Sequence, residues 1–152
     1  MAERVVYQSL ESVVRIDSTG LLMINQDTIK LSNANMKIDS IIDLKSLESN
    51  PSIYPYLTDS SKVYFLYKHY DGYVIQCLDS VDRKTVFILN EYYAKDKYHV
   101  YYNGDIIPGA HAPTFELYDK TRIEVSYMGK DKNCIYEGAR PITLEYMKSQ
   151  GL

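Results

Sequence analysis

The stretch from Tyr93 to Ile107 constrains the fold more than any other part of the chain. It reads as a polar turn, a short strand, the dipeptide Asn103-Gly104 and a second short strand. Asn-Gly favours a type I′ turn, because that turn needs positive φ at both central residues, and it joins two antiparallel strands. The sequence therefore predicts a β-hairpin at this point.

A two-residue turn also fixes which residues of the hairpin face each other. The predicted facing pairs are Tyr102 with Asp105, Tyr101 with Ile106, and Val100 with Ile107. Successive side chains on a strand point to opposite faces, so both faces of this hairpin carry apolar residues. The hairpin therefore needs packing partners on both sides.

Short strands and turns recur along the rest of the chain. Strands are predicted as two pieces within 4–15 and then at 21–24, 28–31, 62–67, 73–78, 85–89 and 121–127. Short helical segments are predicted at 43–50, 112–117 and 141–148. The predicted fold is mainly β, with antiparallel short hairpins in a repeat-like sheet and a few short helical turns. We expect a single domain over 1–152, with an N-terminal β-rich segment over 1–58 that carries a short helix, and repeats over 59–152.

An internal repeat supports this architecture. The segment 95–101 aligns without a gap with 130–136, at an offset of 35 residues. Both contain an Asp, three further residues, then Val or Ile followed by an aromatic residue, and looser copies begin at Asp59 and Asp82. An Asp side chain can bind backbone N–H groups two residues on and so fix a turn. A repeat of this period indicates a supersecondary unit that packs against its neighbours.

These segments resemble the bacterial DKNYY repeat family, mainly over residues 59–142. The matching segments are 93–104, Gly109-Ala110, Thr114-Phe115 and 130–138. His111 stands where that family has Asp, and Cys134 stands where it has an aromatic residue. The resemblance implies a β-rich repeat protein, sometimes exported and sometimes encoded beside polymorphic toxins. The family is defined by its repeat, so the resemblance implies no catalytic residues.

Charge and hydrophobic runs exclude several classes of partner. The formal net charge is −3, and no basic stripe of the kind that binds nucleic acid is visible in the sequence. The longest apolar runs are too short to cross a bilayer, and the N-terminal residues do not have the pattern of a signal peptide. The sequence therefore predicts a cytoplasmic protein that binds neither nucleic acid nor membranes.

The residue types that carry chemistry form no recognisable constellation. His99 and His111 could approach each other, but no third metal ligand has the right spacing. Cys134 sits in an apolar strand-like context and reads as a packing residue. Asp96 and Asp131 occupy equivalent turns, which favours a structural role. We therefore predict no catalytic residue, no metal and no cofactor. The enzyme alternative would require His99 or His111 within hydrogen-bond reach of a carboxylate or of Cys134 inside a pocket.

The tyrosine content suggests a function that depends on contact. The chain has 16 Tyr, 3 Phe and no Trp, and Tyr is enriched both in half-exposed strands and at interface anchors. The leading hypothesis is a cytoplasmic immunity protein that occludes the active site of a cognate, basic toxin domain. The candidate contact residues are Tyr64, Tyr67, Tyr92, Tyr93, Asp96, Tyr98, Tyr101, Tyr102 and Asp105. The alternative is a structural or envelope-associated repeat module without a dedicated toxin partner.

Overall fold

The computed structural model describes residues 2–33 and 35–151, and within them the fold is mainly β. Four sheets of four strands each account for the regular structure, together with two short helices. The predicted fold class is confirmed. The chain divides into two compact units, Met1–Leu78 and Asp79–Leu152, which are described separately below. The single domain over 1–152 stays a prediction.

The first unit contains two sheets. Its elements are β1 (Arg4–Gln8), β2 (Val13–Ile16), β3 (Leu22–Ile24), β4 (Asp27–Thr28), β5 (Lys30–Leu31), α1 (Ile38–Ile41), β6 (Tyr56–Thr58), β7 (Val63–His69) and β8 (Gly72–Cys77). Strands β1 to β4 form an antiparallel meander in chain order. The second sheet has the order β5-β8-β7-β6, in which β5 pairs parallel to β8 and the other pairs are antiparallel.

The second unit also contains two sheets, and both are antiparallel. Its elements are β9 (Phe87–Ile88), β10 (Tyr93–Lys95), β11 (Val100–Tyr102), β12 (Asp105–Ile106), β13 (Glu116–Leu117), β14 (Met128–Lys130), β15 (Ile135–Glu137), β16 (Arg140–Ile142) and α2 (Leu144–Ser149). Single 3-10 turns lie at Ala112–Thr114 and Ile123–Val125. The sheet orders are β12-β11-β10-β9 and β13-β14-β15-β16. Each sheet is therefore one stretch of chain folded back and forth.

The central hairpin has the predicted register. Strands β11 and β12 pair Tyr101 with Ile106 and Tyr102 with Asp105. The Ile107 N–H donates to the Val100 carbonyl at 2.8 Å, which confirms the third pair. Asn103 has φ 48° and Gly104 has φ 85°, so both turn residues adopt the left-handed conformation that this turn requires.

Two predicted elements are wrong. Residues 43–50 form a turn and an isolated bridge from Glu48 to Thr58 in place of a helix. The helix in this region is α1, which ends at Ile41. Residues 121–127 contain the 3-10 turn Ile123–Val125 in place of a strand, and the Ile123 side chain is exposed. Alternating apolar and polar residues are therefore not sufficient for a strand where no neighbouring strand pairs with the segment.

Most other predicted strands are confirmed with shifted bounds, but the strand predicted at 28–31 is divided between β4 and β5, which belong to different sheets, and the helix predicted at 141–148 is divided between β16 and α2. The strand predicted at 85–89 shortens to β9, and the helical turn predicted at 112–117 is the 3-10 turn followed by β13. Helix α2 begins after Thr143, whose hydroxyl accepts a hydrogen bond from the Tyr146 N–H at 3.1 Å. None of the described helices is long and apolar enough to cross a membrane.

Each unit has its own core. The first unit buries aliphatic residues from β2, β3, β7 and β8, including Val14, Leu22 and Ile75. The core of the second unit is largely aromatic and includes Tyr93, Phe115 and Tyr136. The rings of Tyr93 and Tyr136 lie 5.1 Å and 5.8 Å from that of Phe115, centroid to centroid. Phe115 thus links the two sheets of the second unit through its ring contacts.

We predict that Gly129→Ala destabilises the second unit, because a Cβ at this position would lie 2.2 Å from Cζ of buried Phe115. The backbone of β14 and the ring cannot both stay in place, and overpacking of this kind costs about 1–3 kcal/mol. Urea unfolding of the full chain, followed by far-UV circular dichroism, measures the loss. The double variant Gly129→Ala/Phe115→Leu should recover part of it. Parental stability of Gly129→Ala would contradict the packing described here.

Candidate functional site

The side chain of Asp96 organises the turn between β10 and β11. Its Oδ1 accepts hydrogen bonds from the backbone N–H groups of Tyr98 at 2.8 Å and His99 at 2.7 Å. Its Oδ2 accepts a hydrogen bond from the Asp82 N–H at 2.8 Å. It also lies 3.3 Å from the Tyr101 hydroxyl, whose single proton it shares with the Asp79 carbonyl at 2.9 Å. Four donors from two chain segments therefore converge on one carboxylate that is only 3% exposed.

The same arrangement recurs around Asp59 and Asp131. In both cases Oδ1 accepts hydrogen bonds from the N–H groups two and three residues later. In both cases Oδ2 accepts hydrogen bonds from a tyrosine hydroxyl five residues later and from an upstream backbone N–H. The tyrosines are Tyr64 and Tyr136, at 2.6 and 2.9 Å, and the upstream N–H groups are those of Asp43 and His111, at 3.0 and 2.8 Å. We call the three sites at Asp59, Asp96 and Asp131 the aspartate-led turns.

A hydroxyl residue completes each aspartate-led turn. Thr85 Oγ1 accepts a hydrogen bond from the Lys97 N–H at 3.1 Å and donates one to the Asp82 carboxylate at 3.0 Å. In the turn at Asp59, Ser46 Oγ accepts a hydrogen bond from the Ser60 N–H and donates one to the Asp43 carboxylate. In the turn at Asp131, Thr114 Oγ1 accepts a hydrogen bond from the Lys132 N–H and forms one with His111 Nδ1. The third site therefore has an imidazole nitrogen, His111 Nδ1, where the other two have a carboxylate oxygen.

These contacts show which of the two looser copies of the sequence repeat, at Asp59 and at Asp82, forms an aspartate-led turn. The copy beginning at Asp59 is confirmed. The copy beginning at Asp82 is wrong, because Asp82 supplies the upstream N–H group and is the counterpart of Asp43. Phe87, which follows Asp82 by five residues, has no hydroxyl with which to complete such a turn.

The hydrogen bonds keep the three carboxylates ionised. Burial alone would raise the pKa of Asp96, but the N–H groups of Asp82, His99 and Tyr98 outweigh that effect and lower the pKa below its ordinary value. The pKa values of Asp59 and Asp131 are lowered by the same balance of burial and hydrogen bonding. Burial, together with the neighbouring carboxylate, raises the pKa of Tyr64, and its hydroxyl stays a donor.

His99, His111 and Cys134 contribute to these turns mainly through their backbone. The N–H groups of His99, His111 and Cys134 each donate to an aspartate carboxylate. The His111 ring bonds Thr114, and His99 Nδ1 is buried without a hydrogen-bond partner among the described residues. Across residues 2–33 and 35–151, no three His, Cys, Asp or Glu side chains group in a way that could hold a metal.

Four of the nine candidate contact residues lie inside the fold. These are Tyr64, Tyr93, Tyr101 and Asp96, which are at most 3% exposed. The Tyr93 hydroxyl donates to the carbonyls of Tyr127 at 2.7 Å and Gly138 at 2.8 Å, so it ties β10 to the neighbouring sheet. The candidate surface is corrected accordingly, since a protein partner does not reach these four side chains in the folded chain.

The other five candidates keep solvent exposure. They are Tyr67 in the first unit and Tyr92, Tyr98, Tyr102 and Asp105 in the second. The Tyr92 and Tyr102 rings are stacked, with centroids 6.0 Å apart. Tyr98 is 62% exposed, and the Lys97 ammonium lies 4.8 Å from its ring centroid. The exposed tyrosines of the second unit therefore belong to its surface, whereas Tyr93 and Tyr101 belong to its interior.

A shallow, open depression of about 500 Å³ lies beside Tyr102 on the surface of the second unit. We call it the tyrosine groove, and its lining residues are Tyr102, Tyr127, Glu137, Gly138, Ala139 and Arg140. The Arg140 guanidinium donates to the Glu137 carboxylate at 2.9 Å and lies 5.0 Å from the centroid of the Tyr146 ring. The groove thus combines aromatic rings with one carboxylate and one guanidinium.

Comparison with known families identifies the repeat. The model of the DKNYY family matches residues 2–140. The chain belongs to the DKNYY family. No curated protein and no solved structure matches it.

The DKNYY match begins well before residue 59, whereas the resemblance found in the sequence lies mainly over 59–142. The β1–β2 turn shows why the early part was missed. Ser9 Oγ accepts hydrogen bonds from the N–H groups of Glu11 and Ser12, as an aspartate does in the later turns. Val14, five residues after Ser9, occupies the place of the tyrosine. This turn keeps the backbone geometry of the repeat without the residues that reveal it.

Of the six residues that line the tyrosine groove, only Tyr102 is among the candidates predicted from the sequence, and the other five include Tyr127, Glu137 and Arg140. The repeat itself contained a usable signal. Its offset of 35 residues equates Tyr102 with Glu137 and Asp105 with Arg140. The counterpart of a candidate residue in the next copy of this DKNYY repeat is therefore a candidate as well.

We predict that Asp96→Asn destabilises the second unit by about 1.5–3 kcal/mol, the range for a hydrogen bond to a charged group. An amide NH₂ in place of Oδ2 would face the Asp82 N–H and leave that donor without an acceptor. Urea unfolding measures the change. Glu91→Gln is the matched control, because Glu91 is exposed in the same unit and its carboxylate has no partner among the described contacts. Equal effects of the two substitutions would contradict the role assigned to Asp96.

We also predict that stability falls steeply in acid. The folded pKa values of Asp59, Asp96 and Asp131 lie below the unfolded value of about 3.9. Their contribution is therefore complete above pH ~4 and is lost as the pH falls through the folded values. Urea midpoints measured between pH 7 and pH 2 should change little above pH 5 and drop below pH 4. Asp96→Asn should have a shallower drop, and an unchanged drop would contradict the prediction.

Proposed function

We propose that this DKNYY-family protein acts by contact and not by making or breaking bonds. More narrowly, we propose a bacterial immunity protein that binds a cognate toxin domain in the cytoplasm and occludes its active site. The acidic balance of the chain would favour encounter with a basic toxin surface.

The observation that carries this proposal is the tyrosine groove with its neighbour Tyr92. Tyr102 is half-buried and is held on two sides, by Tyr92 at 6.0 Å and by Tyr93 at 5.1 Å between ring centroids. A ring that is already positioned loses little conformational entropy when a partner covers it. Positioned tyrosines beside a charged pair are typical of the anchors that contribute most binding energy at protein interfaces.

The aspartate-led turns supply the rigidity that such a surface needs. Asp96 and Asp131 fix the turns that begin β11 and β15, and the outer ends of these strands carry Tyr102 and Glu137. A surface on strands that are held from both ends can keep its shape when the partner arrives. The proposal therefore assigns the buried tyrosines to the scaffold and the exposed tyrosines to binding.

A structural module without a dedicated toxin is the second candidate function. The regularity of the three aspartate-led turns favours it, because a repeat of this kind needs only its neighbours to be stable. In that case the tyrosine groove would have no partner, and substitutions in it would change nothing outside the protein.

The deciding experiment tests the product of the gene directly upstream. The full chain and that product are co-expressed, cell growth is followed, and the affinity of the purified pair is measured by titration calorimetry. We expect protection and a stable complex. Tyr127→Ala should weaken the complex at least about tenfold, which corresponds to about 1.4 kcal/mol.

Tyr70→Ala is the matched control, because Tyr70 is 92% exposed and lies outside the tyrosine groove. It should leave both affinity and protection unchanged. Absence of both binding and protection would overturn the immunity proposal. An equal loss in Tyr70→Ala and Tyr127→Ala would overturn the assignment of the surface.

A further inference from the structure

We infer that the tyrosine groove takes an arginine side chain of the protein partner, and that Arg140 is a built-in competitor for that place. This inference rests on the proposed function, because it names the chemical group by which the partner would be recognised. It assigns separate roles to Glu137, as the acceptor, and to Arg140, as the group that is displaced.

The walls of the groove suit a flat group. The Tyr102 ring lies directly against Gly138, since a Cβ at position 138 would come within 3.1 Å of its Cε1 and Cζ atoms. Gly138 also has φ 61°, a conformation that other residues adopt only with strain. A side chain at 138 would therefore displace the ring. Glycine at 138 therefore allows the Tyr102 ring to pack against the backbone at the edge of the groove.

The charged end of the groove already holds a guanidinium. Arg140 Nη2 donates to Glu137 Oε1 at 2.9 Å, while the guanidinium carbon lies 5.0 Å from the centroid of the Tyr146 ring. A carboxylate and an aromatic face are the two groups that recognise arginine best, through a charged hydrogen bond and a cation–π contact. Tyr146 is not one of the residues that line the groove, so Arg140 shows that the Glu137 carboxylate at this end of the groove binds a guanidinium.

Arg140 and Glu137 are exposed enough for a partner arginine to take the place of Arg140. The Arg140 side chain is 60% exposed and that of Glu137 is 27% exposed, so solvent screens their ion pair. A partner arginine between Tyr102 and Tyr127 would reach Glu137 from the side of the groove and release Arg140 into water. The partner arginine would then contact Tyr102, Tyr127 and Glu137, while Arg140 would give up its hydrogen bond to Glu137 and its contact with the Tyr146 ring.

Other ligand classes fit the same residues less well. An anion would meet the Glu137 carboxylate and the negative faces of the tyrosine rings. A lysine ammonium could bond Glu137, but its compact charge lacks the plane that stacks on an aromatic ring. A guanidinium satisfies both kinds of group at once.

The test uses the ¹⁵N-labelled full chain and a small probe, the peptide acetyl-Gly-Arg-Gly-amide. Its neutral counterpart contains citrulline in place of arginine. We expect saturable shifts of the Gly138 amide signal with the arginine peptide and none with the citrulline peptide. Glu137→Gln should abolish the response. Arg140→Ala should tighten binding about two- to fivefold, the factor that an exposed ion pair supports.

Arg122 and Glu124 form a matched control pair in the same unit, because they also make an exposed ion pair, at 3.0 Å, and lie outside the groove. Arg122→Ala and Glu124→Gln should leave the titration unchanged. Weaker binding in Arg140→Ala, or an equal response to citrulline, would overturn the inference. If the upstream product fails to bind while the arginine peptide binds, only the immunity proposal falls. If the upstream product binds while the arginine peptide does not, only the arginine site is overturned.

Discussion

The fold depends on a buried carboxylate that accepts four hydrogen bonds. At Asp96 these bonds come from two N–H groups of the following turn, one N–H group of an upstream segment and one tyrosine hydroxyl. The first two bonds shape the turn, the third joins segments that are distant in sequence, and the fourth holds the strand that follows. One side chain therefore couples local conformation to packing, which small sheets with few buried residues require.

This constraint accounts for three of the 16 tyrosines. The residue five positions after each of the three aspartates must be aromatic to fill the core and must carry a hydroxyl to reach Oδ2. Tyr64, Tyr101 and Tyr136 meet both conditions, and a phenylalanine would meet only the first. Counting the hydroxyl as part of the motif would have separated Asp59 from Asp82 in the sequence, because Phe87 follows Asp82. Treating Tyr and Phe as one aromatic class hides this difference between Asp59 and Asp82.

The sequence predicted an element correctly where the interactions that stabilise it join residues close together in the chain. The hairpin around Asn103-Gly104 was predictable to the residue, because its turn and register are set within eight residues. In the segment 43–50, Asp43 is a residue type that caps helices, and Leu44 and Leu47 lie one helical turn apart. Yet the Glu48 backbone pairs with Thr58, and the Asp43 N–H donates to the Asp59 carboxylate. Partners ten and sixteen residues away outweighed a marginal local helix. The tyrosine groove brings β11 and β15 together, so no single window of sequence contained it.

Comparing the repeats within this one chain separates scaffold from surface. The aspartate, the hydroxyl residue and the tyrosine occupy the same places in all three copies, because each contact needs that chemistry. The outer ends of the hairpins differ, since Tyr102 and Asp105 in one copy correspond to Glu137 and Arg140 in the next. The residues at these outer ends differ between copies while the aspartate-led turns stay the same. Folding therefore does not require a particular residue type at these positions. A function based on contact can therefore diverge at these ends without disturbing the turns that hold them.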